Sequence, residues 1–137
     1  MPAPGERASI GDGAALLPRK EISPLDLIRL YLERIKQRNP QLNAYVTLTE
    51  EQALADAARA EREIQQGRYR GPLHGIPFSI KDNLVTRGIR TTAGSKILAD
   101  WVPEFDATAV QRLKDAGAVL LGKTNMHEWA LGGTTIN

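Results

Sequence analysis

Two apolar segments separated by a helix constrain this chain more than any other feature. Ile76, Phe78 and Ile80 alternate with Pro77, Ser79 and Lys81, the period-two pattern of a strand. Ala118 to Leu121 is an unbroken apolar run of the buried-strand kind. Between them, Asp106-Ala107-Thr108 opens a helical segment with Val110, Leu113 and Lys114 before Gly117. Strand, helix, strand predicts a parallel pair with a right-handed crossover, and hence an α/β fold. Pro77 lacks an amide hydrogen, so its strand lies at an edge or begins there. Two strands are too few for a parallel sheet, which is normally larger and covered on both faces. The sequence also stops at Thr134-Thr135-Ile136-Asn137 without a terminating element. The 137 residues are therefore expected to be the front portion of a larger α/β domain.

Helices precede these strands. Residues 1–20 mix Gly, Pro and Arg and are expected to be a poorly ordered lead-in, with one short helical turn near Ala14 to Leu17. Ser23-Pro24 then opens a helix, serine as N-cap and proline where no N–H partner is needed. Leu25, Ile28, Leu32 and Ile35 form its apolar stripe, and Asn39-Pro40 is expected to stop it. Leu42 to Leu48 reads as extended. Thr49 is expected to cap a second helix, with Gln52 completing a capping box, and Ala53, Leu54, Ala57, Ala60 and Ile64 carry that helix to Gly67. Asp82 to Thr92 reads as loop. Short helices are expected over Gly94 to Ala99 and over Met126 to Leu131.

Composition closes off several classes. A 42% hydrophobic and 25% charged content fits a globular chain. Cysteine is absent, which removes disulfides, thiol nucleophiles and Cys-based zinc sites. A net charge of +2 is no footprint for nucleic acid. The opening residues lack a signal-peptide core, and no apolar run is long enough to span a bilayer. A cytoplasmic protein without membrane or nucleic-acid partner is expected.

Few residues carry chemistry. Lys81 ends an otherwise apolar strand, where lost hydration would lower its pKa and make it a base. The plain alternative is a solvated strand-end lysine; Asp82 is a poor partner for it, because neighbours in a strand point to opposite faces. Gly117 to Thr124 matches the phosphate-loop pattern G-x-x-x-x-G-K-[ST]. That motif needs a strand before its first glycine and a loop after it, whereas here a helix precedes Gly117 and a strand follows, so Lys123 is read as structural. His74 and His127 lack the neighbours of a metal site and are read as structural too. No serine lies in G-x-S-x-G, and Ser79, on the face of Lys81, is expected to be too buried to meet a substrate. Gly132-Gly133-Thr134-Thr135 could bind a carboxylate through free N–H groups or be a plain turn.

The segment Gly71-Pro72-Leu73-His74-Gly75-Ile76-Pro77-Phe78-Ser79-Ile80-Lys81-Asp82-Asn83 closely resembles the lysine-bearing part of the amidase signature family. Thr91-Thr92-Ala93-Gly94-Ser95 is similar to the loop that follows it there. Asp106-Ala107-Thr108 and Gly117 to Met126 resemble the family's next helix and strand, and Ser23 to Val46 its N-terminal helical region. The resemblance covers nearly everything after residue 20. It implies a large mixed sheet, with residues 21–137 as the N-terminal part of an amidase-signature domain. It also implies cleavage or transfer at amide bonds through a Ser–cis-Ser–Lys triad, with Lys81 as the triad lysine. Asn125, Gly132, Gly133 and Thr134 would lie near the substrate.

One departure is large. Both triad serines of the family belong to a Gly/Ser-rich segment, G-G-S-S-G-G-S in its usual form, that follows the equivalent of Asn137. The chain is thus expected to supply one triad member of three, to be inactive alone, and to need neither metal nor organic cofactor. Its expected partners are a small-molecule amide and either a second copy or the C-terminal remainder. The competing readings are a non-catalytic interaction fragment of the same fold and the phosphate-loop module set aside above.

Overall fold

In the computed structural model, residues 9–134 are described. The first eight residues of the lead-in, and Thr135, Ile136 and Asn137, lie outside them. Four helices and three strands follow in the order α1 (Ile10–Leu16), α2 (Pro24–Leu42), β1 (Tyr45–Leu48), α3 (Glu50–Gln65), β2 (Pro77–Lys81), α4 (Thr108–Asp115), β3 (Val119–Thr124).

The expected strand–helix–strand unit is present, with β2 parallel to β3. β3 is central, and β1 pairs with its other side antiparallel, giving a mixed sheet of order β1-β3-β2. Alternation along β3 explains why its sequence is apolar throughout. Val119 and Leu121 pack against Ile28 and Leu32 of α2 and Ala53 and Ala57 of α3. Leu120 turns the other way, to Ile80 of β2 and Val110 of α4. Both faces of the central strand are covered, as parallel pairing requires. Each of the valine, leucine and isoleucine side chains contributes roughly 1.5–3 kcal/mol on burial. The alanines of α3 let it lie close to the sheet.

The helix ends differ from expectation in instructive ways. The lead-in is not a single turn: Ser9 and Asp12 form a reciprocal capping box that starts α1. Leu17, just past α1, is fully buried with Ile64 and Ile76, which anchors the segment. Ser23 caps α2 as expected, accepting from the Asp26 N–H at 3.2 Å. Asn39-Pro40, however, does not end that helix. Pro40 forgoes the bond its missing N–H would make one turn back, yet α2 runs on to Leu42. The stop is Asn43, in the left-handed conformation at φ 48°, with its N–H on the Asn39 carbonyl. Asn39 meanwhile holds the start of β1, its side-chain amide bonding both Tyr45 N–H at 2.8 Å and Tyr45 carbonyl at 3.1 Å.

Thr49 holds the N-cap position of α3 as expected, but makes no side-chain capping bond and no capping box. Its hydroxyl donates to the Leu120 carbonyl at 2.8 Å, joining α3 to the sheet, and Gln52 bonds Asp56 instead. The expected helix at Gly94 to Ala99 is a 3-10 turn, Lys96–Leu98. The one expected at Met126 to Leu131 is a tight turn at Glu128–Ala130, where Trp129 and Ala130 both have positive φ.

Candidate active site at the carboxyl ends of β2 and β3

Parallel β2 and β3 finish side by side, Lys81 in register with Thr124. Lys81 is therefore the last residue of one strand, and Asn125 is the first residue beyond the other. This carboxyl edge is where open α/β sheets bind ligands. Lys81 is exposed, and among the described residues its ammonium has no hydrogen-bond or ion-pair partner. The expected loss of hydration is thus not found at Lys81. Ser79, half-buried, shares its hydroxyl with the Tyr45 hydroxyl at 2.5 Å, which occupies it away from any lysine.

The dehydrated lysine of the structure is Lys123. It and Asp82 are both 0 % exposed, and Nζ stands 3.4 Å from Asp82 Oδ1. Nζ donates to the Leu84 carbonyl at 2.9 Å and to Thr91 Oγ1 at 2.7 Å. Burial pulls the Lys123 pKa below the ordinary lysine value, and the Asp82 carboxylate works against that shift. Asp82 Oδ2 accepts from the Thr92 N–H at 3.0 Å and the Thr92 hydroxyl at 2.5 Å. The backbone of Asp82 is held as well, its N–H by the Thr124 carbonyl and its carbonyl by the Ala93 N–H. Lys81 and Asp82 do point apart, as strand alternation requires. The pairing of Asp82 with Lys123 escaped sequence reasoning because it joins positions far apart in the chain. The available signal was a charged residue, Lys123, two positions past an apolar run and on the same buried-strand segment.

The same facts dispose of the phosphate-loop reading. Gly117 takes φ +81° in the turn before β3, where a Cβ would collide with the His74 ring. Gly122 is a strand residue whose missing side chain lets β1 approach; a Cβ there would meet the Thr47 carbonyl oxygen. Lys123 is buried, and Thr124 donates to the Ile80 carbonyl at 3.3 Å. No residue of the pattern offers a loop of N–H groups to a phosphate.

The other expected site residues are placed as follows. The Asn125 side chain donates to the Asn43 carbonyl at 3.0 Å and accepts from the Met126 N–H at 2.8 Å. Its amide thus braces the start of β1, and Asn125 is half-buried beside Lys81's strand end. Gly132, Gly133 and Thr134 are exposed in the segment leaving the Trp129 turn. Gly132 adopts φ +143° against the His127 ring. No hydrogen bond joins these residues to Lys81 among the described ones. The turn is nevertheless tied to the strand end: Trp129 N–H donates to the Ala93 carbonyl, and Ala93 N–H to the Asp82 carbonyl.

His74 lies at the opposite, amino-terminal end of the sheet. Its Nδ1 accepts from the Arg70 N–H at 3.1 Å and its Nε2 faces Glu63 Oε2 at 3.1 Å. That arrangement needs the neutral tautomer protonated on Nε2. Burial lowers the His74 pKa, against the pull of Glu63. Hydrogen bonding from Arg70 lowers that of Glu63. The cleft around them is lined by Asp56, Arg59, Glu63, Arg70 and His74 and encloses only ≈ 10 Å³, scarcely one water. It is a structural cluster, as expected for His74. Among the described residues no group of His, Asp and Glu could hold a metal ion, and no helix is long and apolar enough to cross a membrane.

Comparison with known proteins decides the family: residues 26–137 match the one described as Amidase. The chain belongs to the amidase family. It is 49% identical over 122 residues to one component of the glutamyl-tRNA(Gln) amidotransferase of Heliobacterium modesticaldum, covering 89% of this chain and 25% of that protein. The corresponding component of the Desulforudis audaxviator enzyme is 52% identical over 120 residues, covering 88% of this chain and 24% of that protein. Among solved structures, native peptide amidase of Stenotrophomonas maltophilia superposes with a TM-score of 0.86 at 43% identity, over 93% of this chain and 26% of that one. A bacterial aryl acylamidase of the amidase signature family gives the same TM-score at 32% identity, over 93% and 27%. The chain thus spans about a quarter of the amidases it matches, and the expected amidase-signature architecture is present as part of a domain.

Proposed function

We propose that this chain supplies the lysine of an amide-bond hydrolase that works through a Ser–cis-Ser–Lys triad. The observation that supports it most directly is Lys81 itself. Its amine is without a partner among the described residues, while the strand end beneath it is held at every backbone group of residue 82. A lysine kept free on a fixed base suits a group meant to meet hydroxyls from elsewhere.

In this reading two serines come from a segment outside residues 1–137. The nucleophilic hydroxyl gives its proton to the bridging serine, whose own proton passes to the neutral Lys81 amine. The freed oxygen attacks the amide carbonyl, and backbone N–H groups hold the resulting oxyanion. Collapse expels the amine, which takes back the relayed proton and leaves an acyl-enzyme for water or another acceptor. Lys81 is exposed to water in this chain. Covering by further chain would strip that water and favour the uncharged amine the relay needs. Asn125, Gly132, Gly133 and Thr134, near the same sheet edge, would line the substrate side.

The substrate is an amide, with no metal or organic cofactor. Similar proteins are named for a tRNA-linked substrate, for peptides and for aryl acylamides. A quarter shared by all of them does not carry that choice. The test is Lys81→Met in a full-length protein containing these residues, assayed on simple amides. Loss of turnover by at least about a thousandfold with retained folding is expected; unimpaired turnover would overturn the assignment.

A further inference from the structure

We infer that Asp82 is a positioning residue for Lys81, acting through the Thr92–Ala93 turn and the buried Lys123. The inference rests on the assignment of Lys81 as the proton acceptor. Its own basis is separate. The N–H, the carbonyl and Oδ2 of residue 82 are hydrogen-bonded and Oδ1 is ion-paired, and each of these contacts fixes a different neighbour of the site. The N–H binds the Thr124 carbonyl and so locks the end of β2 to the end of β3. The carbonyl takes the Ala93 N–H, and the Ala93 carbonyl takes the Trp129 N–H, so the segment leading to Gly132 hangs from residue 82. Oδ2 takes both donors of Thr92. Oδ1 faces the Lys123 ammonium at 3.4 Å and accepts no hydrogen bond.

This is an unusual place for a buried ion pair. Replacing such a pair with apolar residues of similar volume is often neutral or stabilising, so burial alone does not explain one. Here the pair holds the residue that follows Lys81. It also fixes the 91–95 segment: Thr91 bonds Lys123, Thr92 bonds Asp82, and Ala93 directly after them takes φ 51°. A left-handed alanine is strained and persists only where its surroundings impose it. A proton acceptor must sit within hydrogen-bond reach of its donor, and a displacement of about 1 Å can cost on the order of a hundredfold in rate. Asp82 sets where the Lys81 strand end stops and how the turn beside it is oriented.

The experiment uses a full-length amidase containing these residues and compares Lys81→Met, Asp82→Asn, Thr92→Val and Thr92→Ser. Thr92→Val removes one hydroxyl and leaves both charges in place, so it should fold even if Asp82→Asn does not. The expected result is kcat reduced about tenfold or more in Asp82→Asn and about threefold to tenfold in Thr92→Val. KM should change little in both, and Thr92→Ser should restore kcat. A role in stability alone would lower the melting temperature without touching kcat of the folded fraction. Wild-type kcat in folded Thr92→Val, with Lys81→Met inactive, overturns this inference and leaves the triad assignment standing. An active Lys81→Met overturns the assignment itself, and this inference with it.

Discussion

Lys123 and Asp82 face each other at 3.4 Å on the inner side of the sheet edge whose outer side carries Lys81, and neither member of the pair reaches solvent. Two lysines on adjacent strands thus have opposite fates. One is sealed against a carboxylate, a hydroxyl and a carbonyl; the other is left open.

Breaking that pair should be costly. Lys123→Met leaves a buried carboxylate without its counter-ion, and Asp82→Asn leaves a buried ammonium. Each is expected to lower stability by about 3–5 kcal/mol. The double replacement Asp82→Asn with Lys123→Met should recover much of the loss, because no unpaired charge remains and the Asn side-chain oxygen can still accept from Thr92. Urea unfolding of the three variants checks this, and a double variant no more stable than the singles would contradict it.

Stability should also fall on mild acidification through His74. Its folded pKa lies below the ordinary value because burial disfavours the cation. The unfolded chain therefore takes up a proton first. Stability is fully present above the ordinary histidine value of about 6.5 and declines as pH drops from there towards the lowered one. Glu63, whose pKa is depressed by Arg70, adds a second loss at lower pH, below the ordinary carboxylate range. The titratable and charged groups facing His74 include Glu63, Arg70, Arg59 and the ring of Tyr69. Denaturant midpoints between pH 7.5 and 5.5 should drop in the wild type and stay flatter in His74→Gln; equal slopes would rule out this origin.

Gly122→Ala is expected to destabilise by about 1–3 kcal/mol through overpacking, since the new methyl would press on the Thr47 carbonyl and part β1 from β3. Gly117→Ala meets the His74 ring and also demands a left-handed alanine. Thermal melts should place both below wild type, whereas Gly133→Ala, which meets nothing within 4 Å, should melt normally.

The 137-residue chain should not form a covalent adduct with a fluorophosphonate probe, because both serines of the proposed triad lie outside it. Intact-mass measurement of the treated chain is the direct check. A mass increase on any of Ser9, Ser23, Ser79 or Ser95 would contradict the prediction.

Local patterns carried much of the fold. Alternation at Ile76 to Lys81 and the apolar run at Ala118 to Leu121 were enough to establish the parallel pair. Ser23 declared its helix start through ordinary capping chemistry. What stayed hidden depended on distant partners. Thr49 does sit at the N-cap of α3, but nothing local says that its hydroxyl goes to the Leu120 carbonyl instead of the helix. Pro40 looks like a terminator, yet it is Asn43 that turns left-handed and ends the helix. The candidate site divides in the same way. The position of Lys81 at a strand end follows from periodicity, but its exposure does not. Asp82 and Lys123 could not be matched from spacing, because the sheet register that brings them together is a tertiary fact.

The sheet order has a consequence for synthesis. β1 and β2 flank β3 and share no backbone ladder with each other, and β3 is the last of the three to leave the ribosome. Until residues 119–124 emerge, neither earlier strand has a ladder partner. A nascent polypeptide arrested just before Val119 would hold two bare ribbons beside its helices, and the arrival of one hexapeptide closes both seams at once.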